Sequence, residues 1–278
     1  MRDKGPVPLS REREHRMNIK IIVATHKPYK MPFYDMYIPL QVGAALNEDI
    51  GYLRDDGGDN ISEKNNTYCE LTGMYYAWKN MDADYMGLVH YRRHFASRKK
   101  VDDGDLFAHV LTPEEAEKYL SRYDVIVPRK REYYIETLYS HYDHTFDAKH
   151  LRLAYKIIAK YYPDYIKACN KVYRRTWGYM FNMFIAPKAI YDEYCEWLFD
   201  ILGIMERNID ISRYSEFESR LFGRVSEILF NVWIEQKMTE GLTVKEVRCL
   251  HMEPVNWIKK GASFLSAKFF GKGYSESF

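Results

Sequence analysis

Residues 81–93, MDADYMGLVHYRR, place two kinds of chemistry around one short apolar run. On its N-terminal side Asp82 and Asp84 have the Asp-x-Asp spacing that can hold a divalent metal against a diphosphate. On its C-terminal side His90, Tyr91, Arg92 and Arg93 offer an imidazole and two guanidiniums. A guanidinium binds phosphate oxygens in a bidentate fork and does not lose its charge. The run between them reads as a buried strand, entered from a helix that ends near Lys79. In open α/β sheets ligands gather beyond the carboxyl ends of the strands. The sequence therefore predicts turn chemistry for the Asp pair and makes His90 to Arg93 the ligand-facing group. A divalent metal is compatible with this reading but not required by it. The bland account of Arg92 and Arg93 is a solvated basic turn, since RRHFASRKK continues basic.

Four other constellations and one lone asparagine could carry chemistry. IKIIVATHK, at 19–27, reads as a first buried strand that delivers Thr25 and His26 to the ligand end. GYLRDDGGDNISEKNN is a Gly-Asp-Asn loop offering Asp59 and Asn60; its spacing fails the EF-hand pattern, and a polar turn is the alternative. SHYDHTFDAKH gathers His141, Asp143, His144 and Asp147, which invites a zinc-hydrolase reading, but no H-E-x-x-H base follows. Asp143 or His144 could instead deprotonate an attacking hydroxyl, with a helix cap by Asp143 or Thr145 as the competing account. Arg220, Arg224 and Glu227 share the face of a long helix opposite its apolar stripe. That is either a solvated ion-pair face or an arginine reaching a phosphate beside a carboxylate base or nucleophile. Asn182, read as mid-strand, needs a polar partner and is a candidate to line an acceptor cleft.

The elements that must position these residues alternate. Strands are expected at 19–27, 85–91, 123–128 and 180–187. Between them come a helix opened by a Thr67–Glu70 capping box, one opened by Thr112, Pro113 and Glu115, one across 143–162, and two more across 189–203 and 216–236. That order predicts a single α/β domain with a mostly parallel sheet, spanning 17–252. With 278 residues, 46% of them hydrophobic, the chain can bury a full core. A net charge of +2 supplies no field for gripping nucleic acid, which is not an expected partner. The 25 tyrosines and 5 tryptophans suit sugar or base stacking as well as core filling. Four scattered cysteines form neither a zinc knuckle nor a disulfide framework, so a reducing, cytoplasmic setting is expected. No apolar run approaches the roughly 18 residues of a spanning helix.

The blocks VATHKPY, YIPLQVGAAL, GYLRDDGGDNISEKNNTYCELTGMYYAWKN, DADYMGLVHYRRHF, HYDHTFDAKHL and YMFNMFIAPKAIYDEYCEWLFDIL carry a resemblance. Over Met17 to Met252 the chain resembles the bacterial capsular and exopolysaccharide glycosyltransferases long catalogued as a domain of unknown function. The resemblance implies a GT-A-like fold, a nucleotide-sugar donor with UDP-sugar expected, and a lipid-linked or oligosaccharide acceptor. It also implies that the Asp59–Asn60 loop lines the donor pocket. In the wider GT-A pattern a strand ends in the metal-binding Asp-x-Asp; here HYRR takes that place.

The resulting assignment is donor binding by Thr25, His26, Asp59, Asn60, His90, Tyr91, Arg92, Arg93 and Arg220. Asn182 is assigned to the acceptor, and Asp143, His144 or Glu227 to its proton. Two rivals stand beside it: a noncatalytic carbohydrate-binding protein, and a metal-dependent hydrolase using residues 141–147. Residues 1–16 read as a disordered basic extension. Residues 253–278 read as a tail whose aromatic side chains alternate with lysines, suited to peripheral contact with an anionic inner leaflet.

Overall fold

The computed structural model describes residues 16–99 and 104–253. The expected N-terminal extension, apart from Arg16, and the expected tail, apart from Glu253, lie outside the described residues.

The first apolar run forms β1 (Ile19–Thr25). Its side chains alternate between two core clusters, Ile19, Ile21 and Val23 in one and Ile22 and Ala24 in the other. A strand covered on both faces must be apolar throughout, which is why its sequence shows no alternation. β2 (Tyr37–Gln41) and β3 (Leu53–Arg54) follow.

The helix expected from Thr67 is broken into α1 (Asn65–Tyr68) and α2 (Leu71–Asn80), with Cys69 at φ 54 between them. The expected capping box does not form: Thr67 donates to the Lys64 carbonyl, and Glu70 precedes α2 without a side-chain cap. β4 (Tyr85–His90) and β5 (Arg93–Phe95) form a hairpin in which His90 pairs with Arg93, leaving Tyr91 and Arg92 as its turn.

α3 (Pro113–Leu120) opens with the expected Thr112–Glu115 box and leads to β6 (Val125–Pro128) and β7 (Arg131–Glu132). The helix expected across 143–162 is also two, α4 (Leu138–Thr145), capped by Thr137, and α5 (Lys149–Tyr161). α6 (Ile166–Arg174), β8 (Trp177–Gly178) and β9 (Phe184–Pro187) come next. The chain closes with α7 (Lys188–Asn208), α8 (Glu216–Ser219), α9 (Leu221–Thr239), β10 (Val244–Val247) and β11 (Cys249–His251).

The main sheet has the order β10-β6-β9-β4-β1-β2-β3; off this path β5 pairs antiparallel with β4, and β11 antiparallel with β5. Along this path only β9 is reversed; β1 runs parallel to β2 and β4, β2 to β3, and β10 to β6. The domain is therefore α/β with a mostly parallel sheet flanked by helices, as expected. The reversal brings the N-terminal end of β9 to the same edge as the carboxyl ends of β1 and β4. Among the described residues no helix is long and apolar enough to cross a membrane.

The β4–β9 crossing is tight. A Cβ at Gly87 would lie 2.8 Å from Ile185 Cγ1 and 2.9 Å from the Phe184 carbonyl oxygen, so backbone would have to move. Gly87→Ala is expected to destabilise the domain by about 1–3 kcal/mol, read as a lower urea midpoint; an unchanged midpoint would show that the crossing yields without cost.

Candidate active site

A cavity of about 600 Å³ opens beyond the carboxyl ends of β1 and β4. Thr25 and His26 reach it from β1, and His90, Tyr91, Arg92 and Arg93 from β4. Thr25 is buried and donates to the Lys27 carbonyl at 2.6 Å, fixing the turn that presents His26. Tyr91 packs edge-on against His26 and Tyr29, and Arg92 is paired at 3.4 Å with Glu253 on the rim. Burial, with Lys27, Arg92 and Arg220 after it, holds His26 below its ordinary value. Cations from both sides of the mouth thus converge on one point.

Glu70 and the turn before β9 form the inner wall. His90 Nε2 donates to the Phe181 carbonyl at 2.6 Å, and burial pushes the imidazole's pKa down. Phe181 and Asn182 are successive left-handed residues, φ 77 and 53. Asparagine tolerates that region; phenylalanine does not, at a strain of order 1–3 kcal/mol that the surrounding contacts must hold. The Arg93 guanidinium lies 4.6 Å over the Phe181 ring. Asn182 is not mid-strand as expected. It stands one layer behind the cavity and donates to Glu70 Oε1 at 2.7 Å and to the Gly223 carbonyl at 3.0 Å. Its contact with a substrate is replaced by the positioning of Glu70.

Two helices form the outer wall, each through one helical face. Leu138, His141, Tyr142 and Thr145 of α4 recur at i, i+3, i+4 and i+7. Gly223, Arg224, Glu227 and Ile228 of α9, with Arg220 just before it, follow the same rule. The polar face of α9 is therefore a cavity wall rather than a solvated ion-pair face. Glu227 is pushed up to about 7, first by burial and then by Glu70, against the opposing pull of Arg93 and Arg131. A carboxyl poised there can take a proton at neutral pH.

Several sequence-derived candidates fall outside the lining. Asp143 and His144 do not line it. Asp143 accepts from the Ala148 backbone at 3.1 Å, a structural role. His141 and His144 do approach one another, but through the buried Glu136, whose two oxygens meet their Nδ1 atoms at 3.0 and 2.6 Å. Asp59 and Asn60 hold their own loop: Asn60 donates to the Asp56 and Gly58 carbonyls, and Asp59 accepts from Tyr75. Asn80 ties that loop to the C-terminal end of α2, whereas the cavity lies at the helix's other end, about 15 Å away for ten residues.

Asp84 accepts from the Asn18 backbone and the Asp82 carbonyl from Lys20, at the start of β4. Six residues of strand, about 20 Å, separate them from the cavity. The residues that do stand at the end of β4 are neutral or cationic and do not fit the metal site of the GT-A pattern. Among the described residues no group of three or more His, Cys, Asp or Glu side chains is arranged to hold a metal ion.

Sequence reading missed Glu70, His141 and Arg131 as cavity residues. For Glu70 the local pattern pointed away, because Thr-x-x-Glu satisfies the grammar of a cap.

The fold and the cavity define an α/β domain whose candidate ligand site lies on the carboxyl edge of its sheet. Residues 20–238 match the family described as a domain of unknown function (DUF4422), and the chain belongs to that family. No curated protein matches it. Among solved structures it is similar to the apo structure of WbbM, a bifunctional glycosyltransferase, at 33% identity and a TM-score of 0.78. The match covers 85% of this chain and 46% of the other, so this chain spans about half the length of that relative.

Proposed function

We propose that the chain is a glycosyltransferase that moves a sugar from a nucleoside diphosphate sugar, with UDP as the expected carrier, to a lipid-linked or oligosaccharide acceptor in capsular or exopolysaccharide synthesis. One observation carries the reading: Arg92, Arg93 and Arg220 line the same cavity as Glu227, a carboxyl that burial pushes up to about 7. Likeness to a glycosyltransferase over 85% of the chain supports it.

In this mechanism the acceptor hydroxyl oxygen forms a bond to the anomeric carbon, and the bond from that carbon to the diphosphate breaks. The diphosphate keeps the electron pair and is stabilised by Arg92, Arg93 and Arg220, fixed cations that need no reorganisation. The hydroxyl proton passes to Glu227. Thr25, His26 and Tyr91 border the nucleoside, and His90 holds the strained Phe181 turn. Contact with anionic lipid, expected from residues 253–278, concerns residues that, apart from Glu253, lie outside the described ones.

Isothermal titration with UDP and a turnover screen over nucleotide sugars test the reading; a folded chain that binds no nucleotide and turns over no donor would overturn it, and would favour a noncatalytic carbohydrate binder. Because the Asp pair lies at the far edge, the double variant Asp82→Ala, Asp84→Ala is expected to keep most of its activity, and the wild type to keep its own in EDTA. Loss of both, with manganese restoring the wild type, would return the metal to the mechanism.

A further inference from the structure

Two guanidiniums packed against α9 or carried by it, Arg175 and Arg224, are treated in opposite ways. Arg175 donates from Nε to the Trp177 carbonyl at 2.9 Å, from Nη1 to Glu235 at 3.0 Å, and from Nη2 to Asn231. Its fork is used on every side. Arg224 lies over the rings of Phe146 and Phe217, at 4.3 and 3.8 Å, yet its Nη2 is buried with no acceptor. Among the described residues it makes neither a hydrogen bond nor an ion pair. Ring faces offset part of the cost of a charge taken out of water, but they leave the in-plane N–H donors unmet. Burial, and then Arg220, push its pKa down to about 10, the direction expected of a cation without a counter-charge.

Thr145 repeats the pattern from the facing helix. It is only 7% exposed, lines the cavity, and its Oγ1 is buried without a partner. The nearby acid Glu218 is committed elsewhere, accepting from the Ser215 backbone at 2.8 Å and from its hydroxyl at 2.7 Å. Buried polar groups are ordinarily hydrogen-bonded, so a guanidinium and a hydroxyl left unmet on two walls of one cavity point to an oxyanion ligand.

We propose that Arg224 and Thr145 form a subsite for a negatively charged group, a phosphate or a carboxylate, carried by the glycosyl acceptor. The assignment to the acceptor rests on the function proposed above. Arg224 and Glu227 are neighbours at i and i+3 on one helix face, and Glu227 must reach the acceptor hydroxyl. The donor diphosphate is met by Arg92 and Arg93, which follow β4, and by Arg220, which precedes α9. The acceptor is thus an acidic glycan or a glycan joined to lipid through phosphate, not a neutral sugar chain.

The test is titration of methyl phosphate and of methyl β-glucuronide into the full chain, with and without saturating UDP. One probe is expected to bind the UDP-loaded protein, and which one does so identifies the group. Arg224→Met should weaken that binding about tenfold or more, with Arg224→Lys recovering part of it and UDP affinity unchanged. Thr145→Val should weaken it less, and has no hydrogen bond in the fold to lose.

Failure of both probes to bind, binding indifferent to Arg224→Met, or a parallel loss of UDP affinity would each overturn the proposal; the last would place Arg224 on the donor. If UDP itself does not bind, the donor reading fails separately. Anion binding to the UDP-free chain, with the same dependence on Arg224, still decides the subsite.

Discussion

Replacing Glu227 with Gln is expected to lower kcat for glycosyl transfer by about 10²–10⁴-fold, the range spanned by a positioned general base, while UDP affinity stays within about twofold. Wild-type kcat/KM should climb with pH through about 7, where this carboxyl ionises, and Glu227→Gln should lose that limb. Glu70 raises the group, and Arg93 and Arg131 oppose it, so Glu70→Gln should move the limb to lower pH without removing it. The effect on stability has the opposite sign to the effect on rate. Glu227 binds its proton more tightly folded than at its ordinary 4.5, so its contribution is complete below that pH and is lost as pH rises through about 7. At pH 8, Glu227→Gln should therefore be the more stable protein, by on the order of 1–3 kcal/mol, in thermal unfolding. A variant that keeps wild-type turnover would move the base elsewhere, with His141 of α4 the candidate on the same outer wall.

Arg92→Ala is expected to reduce kcat/KM for the donor about 10–100-fold, the loss of one charge-assisted phosphate contact worth about 1.5–3 kcal/mol. The deficit should appear in the affinity for UDP and be nearly absent for uridine, since the guanidinium is assigned to the phosphates. Arg92→Lys should recover only part of it, because an ammonium keeps the charge but not the fork. Equal weakening of UDP and uridine would mean that Arg92 shapes the cavity through its contact with the Tyr91 ring, 5.3 Å away, rather than binding phosphate.

The sequence alone determined what depends on neighbours along the chain. β1, β4 and β6 are legible because a strand buried on both faces must be a short apolar run, and the Thr112 box because both of its hydrogen bonds close within four residues. Strand direction alone assigned Asp82 and Asp84 to the edge away from the cavity and His90 to Arg93 to its mouth.

Tertiary structure decided the rest. Thr67 and Glu70 satisfy the capping pattern, yet packing breaks the helix at Cys69 and turns Glu70 toward Asn182, 112 residues away in the chain. Only the reversed β9 carries Phe181 and Asn182 to the ligand edge, since strand polarity within a sheet is set by pairing partners and not by composition. On α4, His141 and Thr145 face the cavity while Asp143 and His144 do not, because about 100° of rotation per residue separates wall from exterior once neighbouring elements fix the helix. Arg220, Arg224 and Glu227 could be read either as a solvated face or as a ligand wall for the same reason. An amphipathic pattern tells which side of a helix is polar, but whether that side meets water or a ligand depends on what the fold places opposite it.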